Sequence, residues 1–377
     1  MWRRLLAILV LLGLVALAAC AAEEKATPAP ASPTAVGKPD WQQEWDRVAE
    51  AAKKEGKLIL AGPPGAEVRR AITEPFERQY GITVEYRPMR GAEVIPQIKA
   101  ERDAGQYLLD IRIGGTTTTF VSLKPMGAVD PLEPVLILPD VKNPKTWRGD
   151  VLPFVDKDRQ VLAAQMYSTE AFIVNTGVVK PAEFKSYKDL LDPKWKGKIT
   201  LLDPTIPGSG DAKFTFFYLH PELGPDFIRA LAKQEIVLTR SYEQLNEWVA
   251  TGKYPIGIGP SKFTLQPMIK AGVPIGYVTP KQMREGGSAH VGEAGLTLIS
   301  KAPHPNAAKL YINWFLSKDA QTAFSQVSLI PSTRLDVPMG GVEDWEIPLP
   351  NYINTDIEAN VEARTKVRAL ATEVFAQ

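Results

Sequence analysis

The chain has 377 residues, 45% of them hydrophobic and 23% charged, which excludes a wholly disordered chain and a membrane bundle and suits two domains or one large composite. Its 44 Lys and Arg against 43 Asp and Glu leave a formal charge of +1, too balanced for a broad nucleic-acid footprint or a polybasic membrane surface. The single cysteine excludes an internal disulfide, a thiolate zinc cage and a cysteine-held iron–sulfur cluster.

Arg3 and Arg4 precede a run from Leu5 to Ala19 made of apolar residues and Gly13. At 1.5 Å per residue that run spans roughly 22 Å as a helix, short of the ~30 Å hydrocarbon core, so it reads as a secretory signal peptide over residues 1–19. It ends in Leu17-Ala18-Ala19-Cys20, which resembles the bacterial lipobox; the resemblance implies that Cys20 is lipidated and becomes the mature N-terminus. The competing reading is a plain signal peptide with a chance cysteine. Removing residues 1–19 removes two arginines and no acid, leaving 42 basic and 43 acidic residues and a charge of −1. Residues 20–39 then form a Pro/Ala/Thr-rich stretch with too little apolar surface to offset its ordering entropy, and are expected to act as a flexible tether.

From Asp40 the sequence alternates helix and strand. Asp40 and Gln43 resemble a capping box, and Trp41, Trp45, Val48 and Ala52 make one helical stripe that Gly56 closes. Leu58 to Ala61 reads as a buried strand, and Gly62-Pro63-Pro64-Gly65 leads into a helix bearing Val68, Ile72 and Phe76, which Pro75 is expected to kink or divide. Ile82–Tyr86 is a strand, Val94–Ala104 a helix, and Leu108–Ile113 a third strand. This order predicts an α/β fold with a parallel sheet covered on both faces, whose ligand loops lie at the carboxyl ends of the strands. Gly62–Gly65 and Gly114–Thr119 are two such loops. A second α/β unit follows Ala171–Asn175, with strands at Ile199–Leu202, Ile236–Thr239 and Pro255–Gly259 and a helix over Asp211–Leu219. Leu296–Ile299 is a strand, Asn306 caps a helix through Phe315, and Thr355 to Glu358 predicts the capping box of a final helix.

The runs Phe76–Tyr86, SYKDLLDPKWKGKITLLDP at 186–204 and APHPNAAKLYINWFLSKDAQ at 302–321 resemble the extracellular solute-binding proteins of bacterial ABC importers, in the branch of ferric-iron, phosphonate and sugar-phosphate binders. The resemblance covers roughly residues 41–336. It implies a type II periplasmic-binding fold with two α/β lobes, a ligand cleft between them and two hinge crossings. By the same resemblance the first lobe comprises 41–170 plus 294–377 and the second 171–293. It also implies a membrane permease and an ATPase as partners, no cofactor, no catalysis, and a monomer in the periplasm or at the cell surface.

Type II lobes offer loop amides, hydroxyls and helix N-termini to the cleft, groups that suit anions. The expected contacts are Gly115, Thr116 and Thr117 in the first lobe, Ser168 and Thr169 at the first crossing, and Ser209, Gly210, Arg240, Ser261 and Lys262 in the second. Asp211 complicates the Ser209–Gly210 loop, because an acid in the first turn already complements the helix dipole. Ferric-binding relatives carry an adjacent tyrosine pair where this chain has Lys262 and Phe263, and a lysine cation opposes Fe(III). A small, anionic organic solute is therefore the expected ligand, with a ferric ion, a sensory role or a periplasmic enzyme as alternatives. For a hydrolase only isolated groups such as Glu293 and His290 offer themselves, while His220 and His304 read as structural.

Overall fold

The computed structural model describes residues 38–375, so the leader, Cys20 and the tether lie outside the described residues. The first helix, Asp40–Glu55, buries Val48 and Ala52 and ends where Gly56 takes a left-handed φ of 68°. The strands follow in chain order. They are β1 Lys57–Gly62, β2 Thr83–Pro88, β3 Ile111–Gly114, β4 Val129–Asp130, β5 Leu162–Ala163, β6 Tyr167–Ser168 and β7 Phe172–Asn175. After them come β8 Ile199–Leu202, β9 Val237–Thr239, β10 Ile256–Ile258, β11 Ile275–Val278, β12 Ser288–His290, β13 Gly295–Ile299 and β14 Ile353–Asn354.

The first lobe has the order β2-β1-β3-β13-β4, with β5 beside β13, and the second β11-β7-β10-β8-β9. Both sheets are mixed rather than parallel. Strands β1, β2 and β3 run together, as do β8, β9 and β10, but β13 and β7 lie antiparallel to their neighbours. The sequence pattern missed this because β7 and β13 each follow directly on a short crossing strand, and antiparallel entry needs no helical crossover. The Ala66–Tyr80 helix also runs on through Pro75 without dividing. Ile72 and Phe76 on either side of the proline are fully buried, and that packing offsets the one missing backbone hydrogen bond.

Each lobe has its own core. In the first, Phe76 packs at ring distances of 5.0 and 5.3 Å against Tyr311 and Trp314. In the second, Phe172, Phe184, Tyr187, Phe216, Phe217 and Phe227 form an aromatic cluster. Between the lobes lies a third small sheet, β14-β12-β6, with β12 antiparallel to β6 and parallel to β14. Three strands therefore stand where two crossings were expected.

The third strand leads to the C-terminal helix, Val361–Phe375, and its place corrects the expected lobe boundary. Val367, Leu370 and Ala371 join the second lobe's core, where Phe214 and Phe375 lie 5.9 Å apart, so this helix does not belong with residues 294–330 in the first lobe. Its apolar face packs against the Ser209–Leu219 helix, a long-range complementarity that local periodicity does not reveal. The helix also starts later than Thr355, because the Thr355 hydroxyl is engaged by His290 and cannot cap it. We expect Leu370→Ala to cost roughly 2–5 kcal/mol in urea unfolding. Hydrogen exchange should quicken in strands β7 to β11 and stay unchanged in β1 to β3.

Candidate functional site

In the first lobe, β3 ends at Gly114, and a Cβ there would stand 2.5 Å from the Arg112 guanidinium beneath it. Arg112 is buried; its Nη1 donates to the Gly115 carbonyl and to the Thr119 hydroxyl, each at 3.2 Å, and so fixes the loop from below. Burial pulls the Arg112 pKa down to about 10, and the charge of Glu293 opposes that. The three expected contacts of this loop are all engaged within the chain. The Gly115 amide donates to Glu293 Oε2 at 3.2 Å, the Thr116 hydroxyl donates to the Asp356 carbonyl at 2.9 Å, and the Thr117 hydroxyl accepts from Arg364 at 3.4 Å.

At the crossing, Ser168 is buried in β6 and its hydroxyl donates to the Thr169 carbonyl at 3.3 Å. Thr169 accepts from Lys213 at 3.1 Å, and the same ammonium donates to the Glu170 carbonyl at 2.6 Å. Burial drives the Glu170 carboxyl above its ordinary range and the Lys213 ammonium below its own, each effect limited by the other's charge. These groups sit in the hinge as structural contacts rather than as free donors. His290 in β12 is also fully committed: Nε2 meets the Ser288 hydroxyl at 2.8 Å and Nδ1 the Thr355 hydroxyl at 2.9 Å.

In the second lobe, Gly208 precedes the Ser209–Leu219 helix and gives it no side-chain cap. Gly210 is required by close approach, since a Cβ would stand 2.0 Å from the Leu202 carbonyl oxygen. The Ser209 hydroxyl donates to the Gly259 carbonyl at 2.6 Å and lies 3.4 Å from the Tyr242 hydroxyl. Gly259 abuts Gly210 and leads through Ser261 into the Lys262–Lys270 helix, whose N-terminus also lacks a side-chain cap. Two helix N-termini with free amides thus meet in one place. The two expected cations are already neutralised. Arg240 is mostly exposed and donates to Asp203 at 2.8 Å, while Lys262 forms an ion pair with the buried carboxylate of Glu346. Asp211, in the first turn, is 2% exposed; burial raises its pKa while Arg364 and Arg368 act against the rise.

The model of one family, bacterial extracellular solute-binding protein, matches residues 71–348. The chain belongs to that family. Among curated relatives of this solute-binding protein is a putative 2-aminoethylphosphonate-binding periplasmic protein from Salmonella typhimurium, 23% identical over 304 residues that span 77% of this chain and 83% of that one. The fold is shared with AfuA from Actinobacillus pleuropneumoniae, a periplasmic binding protein solved with fructose-6-phosphate, at 18% identity, 85% and 98% coverage and a TM-score of 0.58. It is shared too with an iron- and citrate-bound Trichodesmium protein, at 17% identity, 85% and 100% coverage and a TM-score of 0.66.

Sequence reasoning missed Tyr167 and Tyr242, gave Asp356 and Arg364 no role, and weighed Glu293 only as an acid for hydrolysis. Glu170, Glu293 and Asp356 act with Tyr242 on the buried Tyr167 hydroxyl, whose pKa burial raises first and these charges raise further. The signal available was position: Tyr167 adjoins the expected crossing residue Ser168, and Glu293 follows Gly292, whose left-handed φ of 59° turns the chain into β13. Among the described residues, the one group of three acids or histidines close enough to share a cation is Asp156, Asp158 and Glu358. The Lys124 ammonium stands among them at 2.8, 3.0 and 2.8 Å. No helix among the described residues is long and apolar enough to cross a membrane.

Burial pulls the His290 pKa from 6.5 down to about 4, against the pull of Asp356 and aided by Lys213 and Arg364. The unfolded chain therefore binds a proton at this position first. Stability from this group should be full above pH 6.5 and fall as the pH drops toward about 4. We expect the urea midpoint of the wild type to fall more steeply through that window than the midpoint of His290→Gln.

Proposed function

We propose that this solute-binding protein captures a small organic solute carrying an anionic group, closes its lobes around it, and hands it unchanged to an ATPase-driven membrane permease. The observation that carries the reading is the meeting of the Ser209–Leu219 and Lys262–Lys270 N-termini beside the Ser209 and Tyr242 hydroxyls. Free backbone N–H groups and two aligned dipoles favour an anion there, whereas Arg240 and Lys262 are already held by Asp203 and Glu346. Ser168, Thr169 and the Gly115–Thr117 loop act as the frame around that position. The binding of an aminophosphonate and of a sugar phosphate by the relatives named above supports an anion of this size.

Chemistry on the bound solute has little to work with. The Ser209 hydroxyl gives its proton to a carbonyl, and both His290 nitrogens meet hydroxyls inside the crossing sheet, so neither joins a nucleophile–base pair. The lipobox-like Leu17–Cys20 supports a lipid on Cys20 that keeps a monomeric receptor on its tether at the membrane surface outside the cytoplasm.

A thermal-shift panel of alkylphosphonates, sugar phosphates, carboxylates and ferric citrate tests the ligand. At least one organic anion should raise the melting temperature, and Tyr242→Phe should weaken that anion on the order of tenfold by calorimetry. A protein that turns coloured with ferric citrate and ignores every organic anion would refute the reading. In fractionated cells, Cys20→Ser should move the protein from the membrane to the soluble fraction.

A further inference from the structure

The charges that face the cleft are not balanced, and their imbalance has a sign. Arg240 is bound to Asp203, Lys262 to Glu346 and Arg364 to Asp356. Lys213 is spent on the Thr169 hydroxyl and the Glu170 carbonyl. Glu293 differs. It is exposed, and it forms no ion pair among the described residues. Its Oε2 accepts the Gly115 amide at 3.2 Å, while Oε1 accepts no hydrogen bond from a described residue. Arg112 feels its charge from beneath the loop but spends its own N–H groups on Gly115 and Thr119.

Apart from the Gly115 amide and the Arg112 guanidinium beneath the loop, the polar groups around Glu293 are acceptors or neutral. The Gly292 carbonyl lies beside Gly115, and the Tyr167 phenol, held neutral by burial and by Asp356, Glu170 and Glu293, offers a further oxygen. The walls therefore differ: in the second lobe stand the amides of two helix N-termini, one with Asp211 buried in its first turn, and in the first a carboxylate with a spare oxygen.

We infer that the solute is a zwitterion, and that Glu293 receives its cationic group, an ammonium, while the anionic end faces the second lobe. The inference rests on the reading of the cleft as the solute site. It adds the charge at the solute's other end, and it makes Glu293 the residue that selects for it. An ammonium fits better than a metal ion. It needs one carboxylate and one or two neutral oxygens, whereas among the described residues no two further acids or histidines join Glu293 in a common ligand set. A bare anion approaching Gly115 would instead meet the Glu293 carboxylate on the very amide it needs.

Calorimetry on the mature chain with 3-aminopropylphosphonate, propylphosphonate and propylamine decides the matter. The amino compound should bind at least tenfold more tightly than propylphosphonate. Glu293→Gln should erase that difference, and propylphosphonate should bind the variant at least as tightly as it binds the wild type; because Glu293 is exposed, a matching melting temperature checks that the variant folds. If propylamine binds alone and loses its affinity in Glu293→Gln, the ammonium site stands and the anion reading falls. If propylphosphonate binds the wild type as tightly as its amino analogue, or the amino analogue keeps its advantage in Glu293→Gln, the inference is overturned and the anion reading stands. Binding of none of the three overturns both. A coloured complex with ferric citrate that Glu293→Gln abolishes would overturn the ammonium in favour of a metal.

Discussion

Three short strands, β6, β12 and β14, carry the chain between the two lobes, and one carboxylate ties them to both walls. Asp356 follows β14; its Oδ2 accepts from the Val291 amide at 2.8 Å and the Gly292 amide at 3.4 Å, and its Oδ1 pairs with Arg364. Its own carbonyl accepts the Thr116 hydroxyl of the first lobe. Arg364 lies on the helix whose apolar face fills the second lobe's core. A partly buried ion pair held also by backbone amides has its desolvation partly offset by those bonds, so it can fix a register between elements that share no core. The loop at Gly115, the turn at Gly292 and the position of Glu293 all depend on that register.

The same geometry explains why the expected cleft cations are poor candidates for direct anion recognition. A lysine or arginine at a cleft mouth exchanges water for a protein carboxylate unless none is near. Asp203 and Glu346 are near Arg240 and Lys262. Anion attraction is left to backbone dipoles, which Asp211 offsets in part at the Ser209–Leu219 helix and which need no reorganisation when a ligand arrives. Glycine at 210 permits this: its missing Cβ lets the helix start against the Leu202 carbonyl, bringing the amides of that turn beside Gly259.

Much of the architecture was legible. The alternation from Asp40 to Ile113 and the glycine stops at Gly56 and Gly81 are local signals, and each is realised in the structure, whereas Ser209 and Gly210, expected in a loop, open the helix itself. Less of the site was legible, for a consistent reason. Gly115, Thr116 and Thr117 were named for what their amide and hydroxyls can donate, but their partners, Glu293, Asp356 and Arg364, come from 178 to 247 residues away. Pairing at that separation leaves no trace in periodicity or spacing. The C-terminal helix shows the same gap, because its stripe announces a buried face and says nothing about which lobe buries it.

By itself the sequence determined the succession of strands and helices, the family, and the small residues that let backbone approach backbone. Those follow from properties that act within a few residues: hydropathy, capping and the freedom of glycine. Only the tertiary structure decided which charges survive folding. Whether a side chain is a free binding group or half of an ion pair depends on what distant segment lies within about 4 Å of it. That is why Arg240 and Lys262 leave the ledger of the cleft and Glu293 enters it.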